Sequence, residues 1–420
     1  MIASGLFVIP GIAFARTGPS IVLAYGITAL IALPTVFSAA ELSTAMPKAG
    51  GIYFFASRGI GYAAGSIAGF ARWFSITLKS AYALLGIGFY TYTFTEIEPI
   101  HTALGFCLLF LIVNLIGIRM VGKTQVLFTV ALLGVLVFLI VGGLFSIEVK
   151  HFTPFFTAGF SSVFSTAGFI FISYGGILAI TGLAEEVRKP RRNIPLGMIL
   201  GLLVTGLVYT AVVFIIVGTI EAGDLMKTLT PVADSARISF GQTGFLLATL
   251  AALLAFVTTA NAGLASASRY PLAMSRDRLL PNIIQKNINT NGVPYISILL
   301  TGLLMLLAIV FLELEILVEI ASSLLMLTYI LTNLALLLLR KKTDSNYKPT
   351  FKAPLYPWLQ IISIIGLLLL LLRTGTISLL VSAVFCLAAY IWYLTRAKLL
   401  TENTIPLPPE PKNATRGQGT

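Results

Sequence analysis

Twelve apolar runs of about 20 residues, joined by short polar connections, constrain this chain more than any other feature. About twenty residues of helix rise ~30 Å, the thickness of a bilayer's hydrocarbon core. In lipid every backbone N–H and C=O must be paired within the protein, so such runs are helices. The spans are predicted near residues 1–16, 19–40, 65–93, 101–118, 124–146, 160–183, 195–218, 243–270, 294–312, 316–340, 356–373 and 375–395. The expected fold is an all-α membrane protein of about twelve transmembrane helices.

Composition excludes a soluble domain. Hydrophobic residues make up 57% of the chain and charged residues 10%, against about 25% charged in soluble proteins. The net charge of +12 would suggest a nucleic-acid partner on a soluble domain, but in a membrane protein it reflects loop topology, so no nucleic acid is expected. The loops after the even-numbered spans and the C-terminal tail hold most Lys and Arg. The opposite side has only Arg16, Lys150, Lys227, Arg237 and Arg373, with Glu96, Glu98, Glu148, Glu221, Asp224, Glu313 and Glu315. By the positive-inside rule both termini face the cytoplasm of a cell-membrane protein. The basic loops around Arg188–Arg192 and Arg340–Lys342 also suit contact with anionic lipid. The first apolar stretch is followed at once by further spans, unlike a cleaved signal peptide. Cys107 and Cys386 sit singly within apolar runs, and His101 and His151 stand alone at helix ends. Neither pair has metal-ligand spacing, so no metal and no cofactor are expected.

Two spans are interrupted. Span 1 carries Ala3-Ser4-Gly5 and span 6 carries Ser173-Tyr174-Gly175-Gly176. Each is the first helix of a group of five. Glycine-interrupted helices at matching positions of two halves point to a substrate site between inverted repeats. The plainer reading is close helix packing on small residues.

Several local patterns resemble the amino acid–polyamine–organocation transporters. Met1-Ile2-Ala3-Ser4-Gly5-Leu6-Phe7 is similar to that family's first-helix motif. Glu41 followed by Met46-Pro47-Lys48-Ala49-Gly50-Gly51 resembles its loop after span 2. Asn114, Gly117, Arg119, Gly122 and Gln125 resemble its turn between spans 4 and 5. Glu185-Glu186-Val187 with Pro190-Arg191-Arg192-Asn193-Ile194-Pro195 resembles its loop after span 6. Ala260-Asn261-Ala262, Ser268-Arg269 and Ser275-Arg276-Asp277 through Leu280-Pro281 resemble its span 8 and exit loop. Each is weak alone; together, in order, they are specific.

The resemblance implies two inverted five-helix repeats with broken helices 1 and 6, plus two C-terminal helices, and alternating access around a midplane site. The transporter domain would span 1–395, with repeats at about 1–146 and 160–340 and the added helices at about 356–395; the polar, proline-rich segment 396–420 would be a disordered cytoplasmic tail. It implies free N–H groups at helix 1 for the substrate carboxylate and free carbonyls at helix 6 for the amine, which suits the helix dipole. By position the carboxylate site is Ser4, Gly5 and Leu6. The amine site is the carbonyls of Phe171, Ile172, Ser173 and Gly175, and the side-chain pocket uses Ser75, Ile76, Ser80 and Ala83. Relatives carry two or three helical turns before the break, where Met1 stands here, which predicts a start upstream or weak closure on the inner side.

Three positions depart from the family. Ile172 replaces a common gating aromatic, whose role would pass to Phe171 or Tyr174. Leu178 replaces an acid found in several relatives. Leu132 aligns with a lysine of some proton-coupled members, which puts that coupling route in doubt.

Lys79 is flagged by its position alone. It lies mid-span, where a charge costs about 2.5–3.5 kcal/mol or more unless it has a partner or a wet cavity. It follows Ser75 by four residues and so shares its helical face. It is the candidate for ion coupling, by protons or as a stand-in cation; the alternative is a packed or snorkelling lysine. Arg72, nearer the end of the span, is expected to snorkel. Thr258 and Thr259 are weaker candidates for a sodium site, since threonine in a membrane helix commonly bonds its own backbone. With no acid in the pocket, neutral amino acids are the expected substrates, carried by symport or exchange. A channel would want rings of carbonyls or charges, and a membrane enzyme a cluster of acids or histidines near one face; neither pattern is present in the sequence.

Overall fold

The computed structural model describes residues 4–46, 50–117, 122–187, 189–286, 293–342 and 347–401. Side chains at 4, 122–125, 183–186 and 397–401 fall outside the description. So do several sequence expectations: the Ser4 hydroxyl, Pro47-Lys48-Ala49, Arg119, Gln125, the Glu185-Glu186 side chains, Arg188 and nearly all of the tail.

All regular elements among the described residues are helices. In chain order they are α1 (Ile9–Thr17), α2 (Ile21–Ala45), α3 (Gly51–Gly59), α4 (Tyr62–Thr95), α5 (Pro99–Ile116), α6 (Gly122–Gly143), α7 (Phe160–Phe169), α8 (Pro190–Thr219), α9 (Ala222–Leu225), α10 (Pro231–Ala267), α11 (Arg269–Arg276), α12 (Ile283–Lys286), α13 (Tyr295–Phe311), α14 (Leu314–Lys341), α15 (Trp358–Thr374) and α16 (Thr376–Thr401). Tighter 3-10 turns occupy Ser4–Leu6, Ile170–Tyr174 and Ile177–Glu186.

The predicted spans map onto these helices. Eight described segments are long and apolar enough to cross a membrane, and α13 and α15 are shorter apolar helices. One of the eight, Ile9–Ala45, holds two spans. Its chain reverses at Gly18, whose φ of 70° suits a residue without a side chain. The third predicted span is α4. Its 34 residues rise about 50 Å at 1.5 Å each, enough to cross the bilayer and extend beyond it. The protein is an integral membrane protein of roughly twelve spans. The short helices α3, α9, α11 and α12, and the first turns of α10 before its bend at Gly241, lie in connections read from sequence as loops.

The outward faces carry exposed apolar side chains, such as Leu30, Ile116, Leu127, Leu207, Leu250 and Leu372. So large an apolar surface would be unstable in water and suits lipid. Inside, α2 packs on α8 and α4 packs on α10; α4 also packs on α14, and α10 on α6. Polar side chains bond across helices where lipid offers no partner. Ser38 donates to Asn333 Oδ1 at 2.7 Å, and Asn333 donates to Thr35 at 2.8 Å, joining α2 to α14. Asn114 donates to Asn261 at 2.7 Å, joining α5 to α10.

The helix ends facing the Lys/Arg-rich loops are called the basic end here, and the opposite ends the acidic end. At the basic end the fully buried Glu41 of α2 accepts from Arg340, from the Tyr347 hydroxyl at 2.9 Å and from the Ala353 N–H at 2.6 Å. This seats the connection after α14 against α2.

Candidate functional site

Both interrupted spans leave α-helical geometry where small residues stand. Span 1 passes from the 3-10 turn Ser4–Leu6 into α1, and span 6 passes from α7 into Ile170–Tyr174. The two breaks touch. A Cβ at Gly5 would lie 2.7 Å from Ser173 Cβ and 2.8 Å from its Cα, closer than real Cβ atoms approach. Leu6, Phe171, Ile172 and Ser173 are all buried in or beside this contact.

Internal donors cap the carbonyls that the breaks release. Tyr25 donates to the Gly5 carbonyl at 3.3 Å and Tyr90 to that of Phe7 at 2.9 Å. Ser322 accepts from the Ile172 N–H at 3.0 Å and donates to the Phe169 carbonyl at 2.7 Å. Tyr329 donates to the Tyr174 carbonyl at 3.3 Å, and Arg72 donates to that of Gly175 at 3.0 Å. Such rescue by neighbouring side chains makes broken backbone tolerable at membrane depth.

Arg72 differs from its sequence expectation. It does not snorkel; its side chain is 1% exposed and points into the protein at the helix 6 break. The physical reason is that α4 begins at Tyr62, so Arg72 lies about 15 Å along the helix, too deep for the head group to return to water.

A cavity of about 470 Å³ begins at this bond and runs toward the basic end. Arg72, Ile76, Lys79 and Ser80 of α4 form one wall. Gly175, Gly176, Ala179 and Ile180 form another, and Leu254, Thr258, Thr259 and Gly263 of α10 a third. It reaches the surface at Thr129 and Gly197, which are exposed lining residues on α6 and α8. The volume suits a small organic ligand.

Of the predicted site residues, the cavity brings together Gly175, Ile76, Ser80, Lys79, Thr258 and Thr259. Gly5, Leu6, Phe171, Ile172 and Ser173 lie at the closed contact of the two breaks. Ser75 instead donates to the Ala321 carbonyl on α14 at 2.8 Å, and Ala83 is buried in the apolar core. Ser80 and Thr258 donate to their own helices, to Ile76 and Leu254 at 2.9 and 2.8 Å. Lys79 is 8% exposed and its Nζ has no hydrogen-bond partner among the described residues. Sequence reasoning missed Arg72 as a site residue. Its seven-residue spacing from Lys79, which places both on one face of α4, was the available signal.

At the acidic end the bundle is latched. Arg16 at the end of α1 pairs with Glu315 at 2.6 Å and Glu319 at 2.8 Å on α14, with its guanidinium 3.9 Å above the Phe169 ring. Among the described residues no group of three His, Cys, Asp or Glu is placed to hold a metal ion.

Two touching helix breaks beside an internal cavity, set in a bundle of apolar spans, define a polytopic membrane protein built around a central site. Residues 1–399 match the Amino acid permease family, and the chain belongs to that family; it is a transporter and not an enzyme. It is 25% identical over 415 residues to the branched-chain amino acid permease BcaP of Bacillus subtilis, covering 94% of this chain and 89% of that protein. It is 24% identical to the methylthioribose transporter of Bacillus subtilis, over 86% of this chain and 83% of that one. It is 26% identical to the vacuolar cationic amino acid transporter 8 of Arabidopsis thaliana, over 81% of this chain and 60% of that one.

Proposed function

We propose that the chain carries neutral amino acids across the cell membrane by alternating access, as a proton-coupled symporter with its basic end and both termini in the cytoplasm. Two five-helix repeats, about 1–146 and 160–340, would move against each other around the paired breaks. The observation that carries this reading is the contrast between the two ends. The Arg16–Glu315/Glu319 pair ties α1 to α14 at one end, while the cavity beside the helix 6 break reaches the surface at Thr129 and Gly197, toward the other. That is the arrangement of an inward-facing carrier, with the breaks in contact after substrate has moved on.

Among the described residues the cavity lining holds no carboxylate, which favours substrates without a cationic side chain. The similarity to a branched-chain amino acid permease supports the same substrate class. Lys79 would be the coupling residue: it is deep, lacks a hydrogen-bond partner and lines the path. Substrate entering from outside would meet Ser4, Gly5 and Leu6 with its carboxylate, and the carbonyls of Phe171, Ile172, Ser173 and Gly175 with its amine. In the alternative, sodium-coupled reading, Thr258 and Thr259 would be the ion's ligands.

Purified protein in liposomes tests this. Leucine and isoleucine should accumulate when a pH gradient is imposed, and not under a sodium gradient alone. Lys79→Met should abolish accumulation while passive exchange persists. Saturable uptake that ignores the pH gradient would discard proton coupling, and absence of uptake for every amino acid would discard the carrier reading.

A further inference from the structure

Among the described residues the cavity wall carries two buried cations and no opposing charge. Arg72 and Lys79 lie seven residues apart on α4, about 10 Å along its axis, and both line the cavity. Arg72 uses one nitrogen on the Gly175 carbonyl, but among the described residues its Nε has no hydrogen-bond partner, and neither has Lys79 Nζ. The described groups beside the Arg72 guanidinium include the phenols of Tyr270 and Tyr329. The fully buried carboxylate of the fold, Glu41, is engaged with Arg340 at the basic end.

Buried charges are unfavourable unless paired and hydrogen-bonded. Two like charges facing one space favour an anion there. The cavity also supplies hydroxyl oxygens, from Ser80 on α4 and Thr258 on α10. Ser80 and Thr258 already donate their protons to their own helices, so their oxygens remain acceptors for an ammonium group.

We propose that Arg72 and Lys79 form a carboxylate-binding subsite in the cavity, separate from the helix 1 break, that receives the α-carboxylate of the amino acid before release at the basic end. This rests on the reading of the chain as an amino acid carrier. In it the substrate passes from backbone N–H groups at helix 1 to side-chain cations on α4 as the two breaks come together. Its ammonium group would face the hydroxyls of Ser80 and Thr258.

The experiment uses the full chain in lipid nanodiscs, with melting temperature and competition binding as readouts. The probes are leucine, leucinamide, glutamate and acetate at matched ionic strength. Leucine should raise the melting temperature and leucinamide, which lacks the carboxylate, should not. Lys79→Met and Arg72→Gln should each weaken leucine binding about tenfold or more, the scale of losing one charged hydrogen bond. Lys79→Arg, which keeps the charge, should restore most of the binding. If the folded Lys79→Met protein binds leucine as tightly as the parent, the subsite is overturned. Equal stabilisation by leucinamide overturns it as well. Stabilisation by acetate with none by leucine or glutamate would show a site for free anions and overturn the assignment to the substrate carboxylate. Liposome uptake is a separate reading: uptake that persists with unaltered binding in both variants sinks the subsite alone, whereas loss of all amino acid uptake by the parent sinks the carrier.

Discussion

The Arg72 guanidinium donates to the Gly175 carbonyl at 3.0 Å, so a long-range tie from α4 ends at the break in helix 6. The bond is buried, and removing it leaves a carbonyl unsatisfied, a penalty of about 1–3 kcal/mol. The same change relieves the desolvation of a buried cation, which opposes it.

Arg72→Leu should therefore lower the melting temperature only slightly while reducing transport more than tenfold, because the break loses the contact that orients it. Arg72→Lys keeps the charge but lacks the planar fork, and should be as inactive as the leucine variant. Melting curves in detergent and initial uptake rates in liposomes give the two readouts. Unimpaired uptake by Arg72→Leu would make the bond a packing detail.

Glu41 and Arg340 should behave in the opposite way, with stability affected first. Arg340→Met leaves a fully buried carboxylate without its cation, a loss of about 3–5 kcal/mol for a broken buried pair. Folded yield should collapse, and the double variant Glu41→Met with Arg340→Met should recover much of it. Size-exclusion profiles of the three variants decide the matter; a monodisperse Arg340→Met protein at parental yield would contradict it.

Tyr347 gives that cluster a pH dependence. Burial, then the charge of Glu41, pushes its phenol above the ordinary value of 10.0. A group whose folded pKa is raised contributes stability fully below its unfolded pKa, and that contribution is lost as the pH climbs above it. Melting temperature should thus fall between about pH 10 and 11, and more gently in Tyr347→Phe. Parallel slopes for the two proteins would remove Tyr347 from the alkaline transition.

Gly5 and Ser173 set how near the two breaks can come. Alanine at position 5 would place its Cβ 2.7 Å from Ser173 Cβ and 2.8 Å from Ser173 Cα, so the breaks must separate. Gly5→Ala should fold and lose most transport. Adding Ser173→Gly removes the Cβ and hydroxyl and should restore part of it, though the close approach to the main chain at position 173 remains. Uptake by Gly5→Ala at the parental rate would show that the touching breaks play no part in the cycle.

The spans are legible because a membrane helix announces itself by length and hydropathy, and the two breaks because Ser4-Gly5 and Ser173 to Gly176 interrupt otherwise apolar runs. What escapes is of two kinds. Helices α9 and α12 have four residues each, too short for a hydrophobic period to form, and α11 has a mean composition that reads as polar loop. The second kind is direction. Hydropathy places Arg72 near the end of a span but does not say that its side chain turns inward to a carbonyl more than a hundred residues away. Spacing from Lys79 puts Ser75 on the pocket face, yet it bonds the Ala321 carbonyl, because α14 packs against that side of α4. Lys79 is legible for the reason that makes it costly: nothing in the sequence near it could serve as a counter-charge.

The Arg16 latch should control access from the acidic end. Its two bonds are short, but Arg16 is 27% exposed and Glu319 14%, so solvent screening limits the pair to about 1 kcal/mol. That is roughly a fivefold change in the population of the closed form. Thr166 on α7 is fully buried, one turn before the Phe169 ring beneath the Arg16 guanidinium. In a protein with Cys107 and Cys386 replaced by serine, a cysteine introduced at position 166 should react slowly with a membrane-impermeant thiol reagent. Glu319→Gln should raise that rate about threefold to tenfold, and Arg16→Ala should raise it by a similar factor. The double variant should be no faster than Arg16→Ala, which already removes the bonds to both Glu315 and Glu319. Raising the salt concentration should speed labelling of the parent and leave Arg16→Ala unchanged. Labelling that is equally slow in all four proteins would mean that the acidic end is held shut by packing of α1 on α7, with the ion pair a bystander.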